Sequence, residues 1–303
     1  MTATIAVKKL TKKYGQIEAV REVSFELGAG EIVALVGHNG AGKTTLLKLM
    51  LGLVHPTSGT VRVLDEDPAA GEFEARRRLG YLPENVSFNP ALTARELLSF
   101  YARLKDQPVS LALELLHRVG LGSASSRRVG TYSKGMRQRL GLAQALIGEP
   151  QVLLLDEPTS GLDPALRLDF YDIVEARRAA GATVVLSSHA LAELGDRAGR
   201  IIIMDRGTMV ANGSIDELRH IARLPAKIRC RVADGNADEI SEKLSAATRW
   251  RQLNGHTIEI DAAPERKLAL LQLVTDLPVV DVDVVPPSLD ELYAHFLRAE
   301  AAL

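Results

Sequence analysis

One stretch of nine residues constrains the fold of this chain more than any other. It fits the pattern G-x-x-x-x-G-K-[ST] of a phosphate-binding loop. The apolar segment Ile32–Val36 precedes it with the length of a strand, and a helical pattern follows until Gly52 can end it. This order of strand, loop and helix predicts an α/β fold built around the loop. The stretch consists of Gly37, His38, Asn39, Gly40, Ala41, Gly42, Lys43, Thr44 and Thr45.

The residue types in this loop explain how it would hold phosphate. Glycines let backbone N–H groups turn towards phosphate oxygens, and the N-terminus of the following helix adds partial positive charge. Lys43 is placed to reach the β- and γ-phosphates, and the Thr44 hydroxyl is placed to ligate Mg²⁺. The alternative is a glycine-rich turn before an ordinary helix, which would need a chance match in the loop and in both flanks. We therefore predict that all nine residues contact a nucleotide.

Length and charge limit the other classes of function. The chain has 303 residues and 46% hydrophobic residues, enough for one large domain or for one large and one small domain. Its 37 Lys and Arg residues balance 38 Asp and Glu residues, which predicts no nucleic-acid partner. The N-terminal residues lack the apolar core of a signal peptide, and the one cysteine, Cys230, has no second cysteine to pair with. We expect a cytosolic chain that reaches a membrane only through a partner.

Polar residues follow two further apolar segments that read as buried parallel strands. Val152–Leu155 is followed by Asp156 and Glu157, and Thr183–Ser188 is followed by His189. Ligands of open α/β sheets bind at the carboxyl ends of the strands. Asp156 is then placed to hold Mg²⁺, and Glu157 is placed to polarise an attacking water. His189 is either a helix cap or a participant in the chemistry, and the sequence leaves both open.

A second anion-binding position is predicted at the start of another helix. The polar segment Tyr132–Gln138 leads into a helical pattern, so that Ser133 and Gly135 lie at a helix N-terminus. A plain serine N-cap would explain Ser133 equally well. This helix closes a helical insertion over residues 88–148, which also contains a capping box that begins at Thr93.

Two other positions have both a structural and a functional interpretation. Tyr14, just before a turn, could stack on an adenine ring or simply pack against a neighbouring strand. Asp163 followed by Pro164 predicts the N-cap and first residue of a helix that runs to about Ala180.

The last part of the chain reads as a separate small α+β domain. We predict an α/β domain over residues 1–222 and an accessory or dimerisation domain over residues 223–303. No catalytic constellation is evident in the second domain, which we expect to be structural or partner-binding. Its predicted strands are 227–232, 257–261 and 279–285, and its predicted helices are 238–244, 266–274 and 289–297.

Taken together, these motifs and their order resemble the ATPase subunits of ABC transporters over about residues 1–220. The resemblance implies a P-loop ATPase core with a mixed sheet and a helical subdomain. It implies two subunits that face each other head to tail, each ATP lying between the phosphate loop of one and the signature helix of the other. Tyr14 would stack on adenine, Ser133 and Gly135 would donate to the γ-phosphate of the facing site, and His189 would contact the γ-phosphate.

The resemblance also implies cofactors and partners. ATP and Mg²⁺ are expected at a homodimer interface, with an integral membrane permease as partner, on the inner face of the cell membrane. Glu84 stands where the family usually has Gln; a carboxylate there can join the Mg²⁺ shell or accept from a water, but it cannot donate. The signature reads Tyr-Ser-Lys-Gly-Met at residues 132–136, as in bacterial exporters whose ATPase is a separate chain.

Several segments are also similar to ATPase subunits that serve copper-site maturation of nitrous oxide reductase. This implies denitrification as the setting and a periplasmic copper-handling subunit as a further partner. A drug, antibiotic or lipid exporter is the alternative. A soluble ABC protein acting on ribosomes or DNA is disfavoured by the neutral charge and the single ATPase module, and a module without turnover is disfavoured by Glu157 and His189. The similar segments are 37–40, 81–86, 102–105, 132–150 and 286–293.

Overall fold

The computed structural model describes residues 3–70, 76–188, 197–232, 248–254 and 256–301. It divides the chain into two compact units, Met1–Ser214 and Ile215–Leu303. The predicted boundary at residues 222 and 223 lies at the far end of the first helix of the second unit. The strands of the first unit are β1 (Ile5–Tyr14), β2 (Ile17–Leu27), β3 (Ile32–Val36), β4 (Ser58–Val63), β5 (Leu79–Leu82), β6 (Val152–Leu155), β7 (Thr183–Ser188), β8 (Arg200–Asp205) and β9 (Thr208–Gly213).

The central sheet of the first unit has six strands in the order β5-β6-β7-β3-β8-β9. The first five are parallel, and β9 returns antiparallel to β8 as a hairpin. Strands β3, β6 and β7 are buried along their whole length, as their apolar sequences predict for a parallel sheet covered on both faces. The phosphate loop and the two acidic residues therefore leave the sheet at the same edge.

A second, antiparallel sheet in the order β2-β1-β4 shares the core of the first unit. Strand β1 runs on to Tyr14, and β2 begins only three residues later, at Ile17. Leu10 and Val20 are buried on one face of these strands, whereas polar residues such as Lys9 and Glu22 are exposed on the other. The two strands pair through a turn at Gly15 with several register shifts. Tyr14 is therefore the last residue of a strand.

Three helices of the first unit begin where their capping residues predict. Thr93 and Glu96 form a capping box, Ser133 caps the helix that follows it, and Asp163 accepts from the Leu166 N–H with Pro164 next in the chain. The helices are α1 (Lys43–Met50), α2 (Ala94–Leu104), α3 (Val109–Arg118), α4 (Lys134–Ala145) and α5 (Pro164–Ala179), with 3₁₀ turns at Gly122–Ala124 and Val129–Thr131.

The second unit has a four-stranded antiparallel sheet in the order β11-β12-β10-β13, as labelled below. Its own core lies on the face that carries Ile228, Cys230 and Ile260. The predicted strands and the last two predicted helices are present, one further strand was not predicted, and the predicted helix over 238–244 lies outside the described residues. The elements are α6 (Ile215–Ala222), β10 (Ala226–Val232), β11 (Trp250–Asn254), β12 (Thr257–Ala262), α7 (Lys267–Thr275), β13 (Val279–Val285) and α8 (Leu289–Ala301).

Candidate functional site

The phosphate loop connects β3 to α1, and its glycines fit the space and the dihedral angles there. Gly42 is the N-cap of α1 with a φ of 103°, in the left-handed region. A Cβ at this position would lie 2.4 Å from the carbonyl oxygen of Ala19, so that only glycine fits. The loop can therefore turn tightly into the helix and leave the first N–H groups of α1 available to an anion.

Lys43 is buried, with only 5% of its surface exposed. Its Nζ donates to the carbonyl oxygen of Gly37 at 2.6 Å and to that of His38 at 3.3 Å. The same nitrogen lies 3.6 Å from Oε1 of Glu157. The ammonium group thus stands between the loop and the strand-end carboxylate, where it can neutralise phosphate charge.

The two acidic residues after β6 have different surroundings. Asp156 is 1% exposed, and its Oδ1 accepts from the Ser187 hydroxyl at 2.6 Å. The same Ser187 oxygen accepts from the backbone N–H of Glu157 at 2.8 Å. The other carboxylate oxygen of Asp156, Oδ2, is buried and has no hydrogen-bond partner among the residues that the structure describes. A buried carboxylate oxygen without a donor is suited to a cation, and Mg²⁺ prefers such oxygen ligands.

Tyr81 reports the negative charge at this edge of the sheet. Burial, Asp156 and Glu84 together raise the pKa of its hydroxyl to about 12. Glu84 itself is exposed and follows β5, the strand next to β6. The two carboxylates predicted as metal ligands, Asp156 and Glu84, therefore lie close enough together to affect the same Tyr81 hydroxyl. A divalent cation bound between them would offset their charge.

One open cleft collects most of the residues predicted for the nucleotide. Tyr14 is 46% exposed, and the Lys12 ammonium lies 5.0 Å from the centroid of its ring. Gly37 and Asp156 are described residues that were predicted for the nucleotide site, but both are buried and do not line the cleft. The lining consists of Tyr14, Ala19, His38, Asn39, Gly40, Ala41, Gly42, Lys43, Thr44, Thr45, Glu84 and Glu157.

Ser133 and Gly135 lie at the start of α4 and do not line this cleft in the described part of the chain. The Ser133 Oγ accepts from the Met136 N–H at 3.2 Å, which is the ordinary N-cap interaction. The Lys134 ammonium lies 3.4 Å from the Ser160 hydroxyl, over the loop that follows Glu157. His189 lies outside the described residues; β7 ends just before it, at Ser188.

Sequence reasoning missed the contribution of the β8–β9 hairpin to the site. The Gly207 N–H in its turn donates to the carbonyl oxygen of Ala41 at 3.0 Å, and a Cβ on Gly37 would meet the Met204 carbonyl oxygen at 2.6 Å. Asp205, the last residue of β8, contacts His38 of the loop. Its position at a strand end, like that of Asp156, was the signal that could have identified it.

Comparisons with known proteins agree with this geometry. The family profile described as ABC transporter matches residues 20–160. An uncharacterized ABC transporter ATP-binding protein, YxlF of Bacillus subtilis, is 41% identical over 71% of this chain and 72% of its own. The daunorubicin resistance ATP-binding protein DrrA3 of Streptomyces coeruleorubidus is 33% identical over 96% of this chain and 95% of its own.

Solved structures give the same result. The ATP-binding subunit of an ABC transporter has a TM-score of 0.68 at 31% identity, covering 73% of this chain and 93% of that one. The ATP-binding cassette MJ0796, solved as a dimer with ADP and Pi, has a TM-score of 0.65 at 26% identity, covering 70% and 98%. No helix in the described part of the chain is long and apolar enough to cross a membrane. The predicted P-loop ATPase fold is confirmed, and the chain belongs to the ATP-binding subunits of ABC transporters, as an ABC-type ATPase.

Proposed function

We propose that two copies of this chain bind two ATP molecules between them and use their hydrolysis to drive a membrane permease. The observation that carries the proposal is the cleft in which the phosphate loop faces Glu157, with Lys43 between them. The helix N-terminus at Ser133 supports it, because it is a second place where an anion is expected to bind and it is not part of that cleft. A facing copy would supply it, as the dimeric state of the related cassette MJ0796 also suggests.

In the proposed site the chain supplies both charge and positioning. Thr44, Asp156 and Glu84 would hold Mg²⁺, which supplies positive charge to the β- and γ-phosphates when bound. Lys43 would stabilise the charge that develops on the γ-phosphoryl group. Glu157 would orient the water for in-line attack, and His189 would contact the γ-phosphate. Ser133 and Gly135 of the facing copy would donate to the same phosphate.

The permease is proposed to dock on the helical subdomain near Glu84, so that the chain would lie on the inner face of the cell membrane. An exposed aromatic and aliphatic surface supports this position. Phe100 and Leu104, one turn apart on α2, are 58% and 67% exposed. The Tyr101 ring contacts those of Phe100 and Phe88, with centroids 5.4 and 6.4 Å apart. A patch of this kind is typical of a surface that binds another protein.

We propose copper-site maturation of nitrous oxide reductase as the process that the transporter serves. The support is the similarity of residues 81–86, 132–150 and 286–293 to NosF, the ATPase of the NosDFY complex, which would make a periplasmic copper-handling subunit a further partner. Drug export is the second candidate, favoured by the similarity to DrrA3 along almost the whole chain. Other relatives of similar identity include a Nod factor export ATP-binding protein of Burkholderia orbicola.

Stoichiometry tests the proposed dimer. The purified chain together with its permease is mixed with ATP and Mg²⁺, and phosphate release is measured with the nucleotide content of the trapped complex. We expect two nucleotides per pair of chains. An ATP analogue with a photoreactive group on its γ-phosphate, bound at the loop of one copy, should label the segment around Ser133 of the other copy. Nucleotide attached to a single polypeptide in the closed state would refute the interface.

Deletion of the gene in its host tests the cargo. Loss of copper from nitrous oxide reductase, with unchanged resistance to anthracyclines, is expected if the first candidate is correct. Increased sensitivity to drugs with a fully loaded reductase would overturn it in favour of the second. A complemented strain that carries a phosphate-loop variant separates loss of turnover from loss of the protein.

A further inference from the structure

The side chain of His38, within the phosphate loop, lies between two oxygens. Its Nε2 is 2.6 Å from Oδ1 of Asp205, and its Nδ1 is 2.7 Å from the carbonyl oxygen of Asn39. Both distances are those of hydrogen bonds, and both ring nitrogens are engaged at once. The identity of the two oxygens therefore decides how many protons the ring must carry.

The carbonyl oxygen of Asn39 can only accept, so Nδ1 must donate to it. The Asp205 oxygen also accepts if the carboxyl is ionised, and then both ring nitrogens donate and the ring is an imidazolium. A neutral ring would need a protonated Asp205. Free aspartate loses its proton at about pH 3.9 and imidazole at about 6.5, so the ionised arrangement is favoured. Arg206 lies nearby, with its Nε 4.0 Å from Oδ2 of Asp205.

The contact joins two parts of the chain that also meet through their backbones. The Gly207 N–H donates to the Ala41 carbonyl oxygen, and Gly37 packs on the Met204 carbonyl. The backbone contacts hold the loop at Gly37 and Ala41, whereas the His38 side chain holds the middle of the loop, residues 38–40, which faces the cleft. A ring that lost one proton could donate to only one of the two oxygens. Residues 38–40 would then lose one of the hydrogen bonds that hold them in place.

We propose that His38 is a positioning residue, held as an imidazolium between Asp205 and the Asn39 carbonyl, and that this clamp fixes the phosphate loop for nucleotide binding. The charged groups around it include Asp205 and Arg206 on the hairpin side and Lys43, whose ammonium donates to the His38 carbonyl, on the loop side. The positive ring also adds to the field that attracts phosphate at the mouth of the cleft. Nucleotide affinity then falls when the ring is deprotonated.

Ring nitrogen chemical shifts test the protonation state directly. The full chain labelled with ¹⁵N on histidine is measured without nucleotide at about pH 7, near the range in which free imidazole titrates. Two protonated nitrogens are expected for His38, assigned by comparison with His38→Gln, and the Asp205→Asn variant should shift the ring to one neutral tautomer. A neutral His38 ring in the unsubstituted chain at that pH would overturn the proposal.

Nucleotide affinity tests the consequence. ADP dissociation constants are measured from about pH 7, where the ring is expected to be protonated, to about pH 9 for the unsubstituted chain, His38→Gln, Asp205→Asn and the double variant. We expect affinity to fall about three- to tenfold over this range in the unsubstituted chain beyond any change in the variants, whose affinities start lower. The double variant should lose no more than either single one, because both changes remove the same contact.

His220→Gln, an exposed histidine of the second unit, is the matched control and should follow the unsubstituted chain. Titration of the ADP phosphates is common to all variants and cancels between them. Identical pH profiles for the unsubstituted chain and His38→Gln would refute the clamp. This result would refute the role of His38 without refuting the nucleotide site, because ADP would still bind to every variant and only the pH dependence of binding would be missing.

Discussion

At the scale of single residues, Ser187 connects the two acidic groups of the site. Its hydroxyl donates to Asp156 and accepts from the backbone of Glu157, so one side chain orients the proposed metal ligand and the proposed base. The adjacent acidic residues are thereby given different tasks by their surroundings. Asp156 is fixed inside the protein, whereas Glu157 reaches the cleft and Lys43.

The Glu157→Gln variant should separate binding from hydrolysis. Glutamine keeps the size of the side chain and removes the carboxylate that orients the water, so we expect ATP to bind and turnover to fall by about a hundredfold or more. Phosphate release and size-exclusion chromatography with ATP are the measurements, and the variant should accumulate as a dimer. Glu149→Gln, at an exposed carboxylate, should keep normal turnover. Normal turnover in Glu157→Gln would contradict its role.

The Ser187→Ala variant should weaken the site without removing any predicted ligand. The Asp156 carboxylate and the Glu157 N–H would each lose a buried partner, at a cost of about 1–3 kcal/mol in the free energy of unfolding. Turnover should fall and require more Mg²⁺, since Asp156 would no longer be held in one orientation. Thermal unfolding and a Mg²⁺ titration of the ATPase rate test this. A variant that loses stability but keeps the Mg²⁺ dependence would limit Ser187 to a structural role.

The residues of the loop and the strand-end carboxylates could be predicted because their signals are local. Lys43 and Glu157 each follow an apolar strand within a few positions of sequence. Ser187 could not be predicted, because its partner is set by the register in which β6 pairs with β7. The contact of His38 with Asp205 needed the same kind of information, the placement of β8 beside β3.

At the scale of secondary-structure elements, helix caps could be predicted from the sequence, but side-chain hydrogen bonds between elements far apart in the sequence could not. The capping box at Thr93 starts α2 as expected, and the hydrogen bonds from Thr93 lower the pKa of Glu96. Lys105, just after the same helix, donates to the carbonyl oxygens of Leu79 at 2.9 Å and Ile147 at 3.0 Å. This lysine ties the helical subdomain to the start of β5. Nothing in the local sequence distinguishes it from a surface lysine.

Lys105 should give stability a dependence on alkaline pH. Burial lowers its pKa to about 8, whereas an unfolded lysine keeps its proton to about pH 10.4. Between these values the unfolded chain binds more protons, so stability should rise with pH by up to about 3 kcal/mol. Urea unfolding at several pH values should show this rise in the unsubstituted chain and in Lys48→Met, at an exposed lysine, but not in Lys105→Met. An equal rise in Lys105→Met would assign it to another group.

At the scale of the whole molecule, the chain has two compact units with independent cores. The second unit carries a carboxylate, Glu259, whose side chain is 1% exposed. Its two oxygens accept from Arg229 and Arg251 on the neighbouring strands, each at 2.9 Å from Nε. Burial alone would raise the pKa of Glu259, but these two hydrogen bonds hold it below its ordinary value. This row, in which a buried carboxylate lies between two solvent-exposed arginines, was not predicted, because β11 was missing from the sequence-based assignment.

The Glu259→Gln variant should destabilise the second unit and leave the ATP site unchanged. Gln can satisfy one arginine at best, so we expect a loss of about 1–3 kcal/mol at neutral pH. Because the folded pKa is depressed, this stabilisation is present above the unfolded value and is lost as the pH falls through the folded value, and the variant should lack that acid-side slope. Calorimetry and ADP binding test the two parts. Weakened ADP binding would show that the units are coupled.

The backbone of Glu157 has a φ of 48°, in the region that side chains other than glycine rarely adopt. Such a residue costs about 1–3 kcal/mol, which the rest of the fold must offset. The backbone conformation that directs the Glu157 carboxylate into the cleft therefore lowers the stability of the folded chain. A Glu157→Gly variant would adopt this conformation without strain, so it should melt at a higher temperature and have lost its turnover. Thermal stability and catalysis would then change in opposite directions at one position.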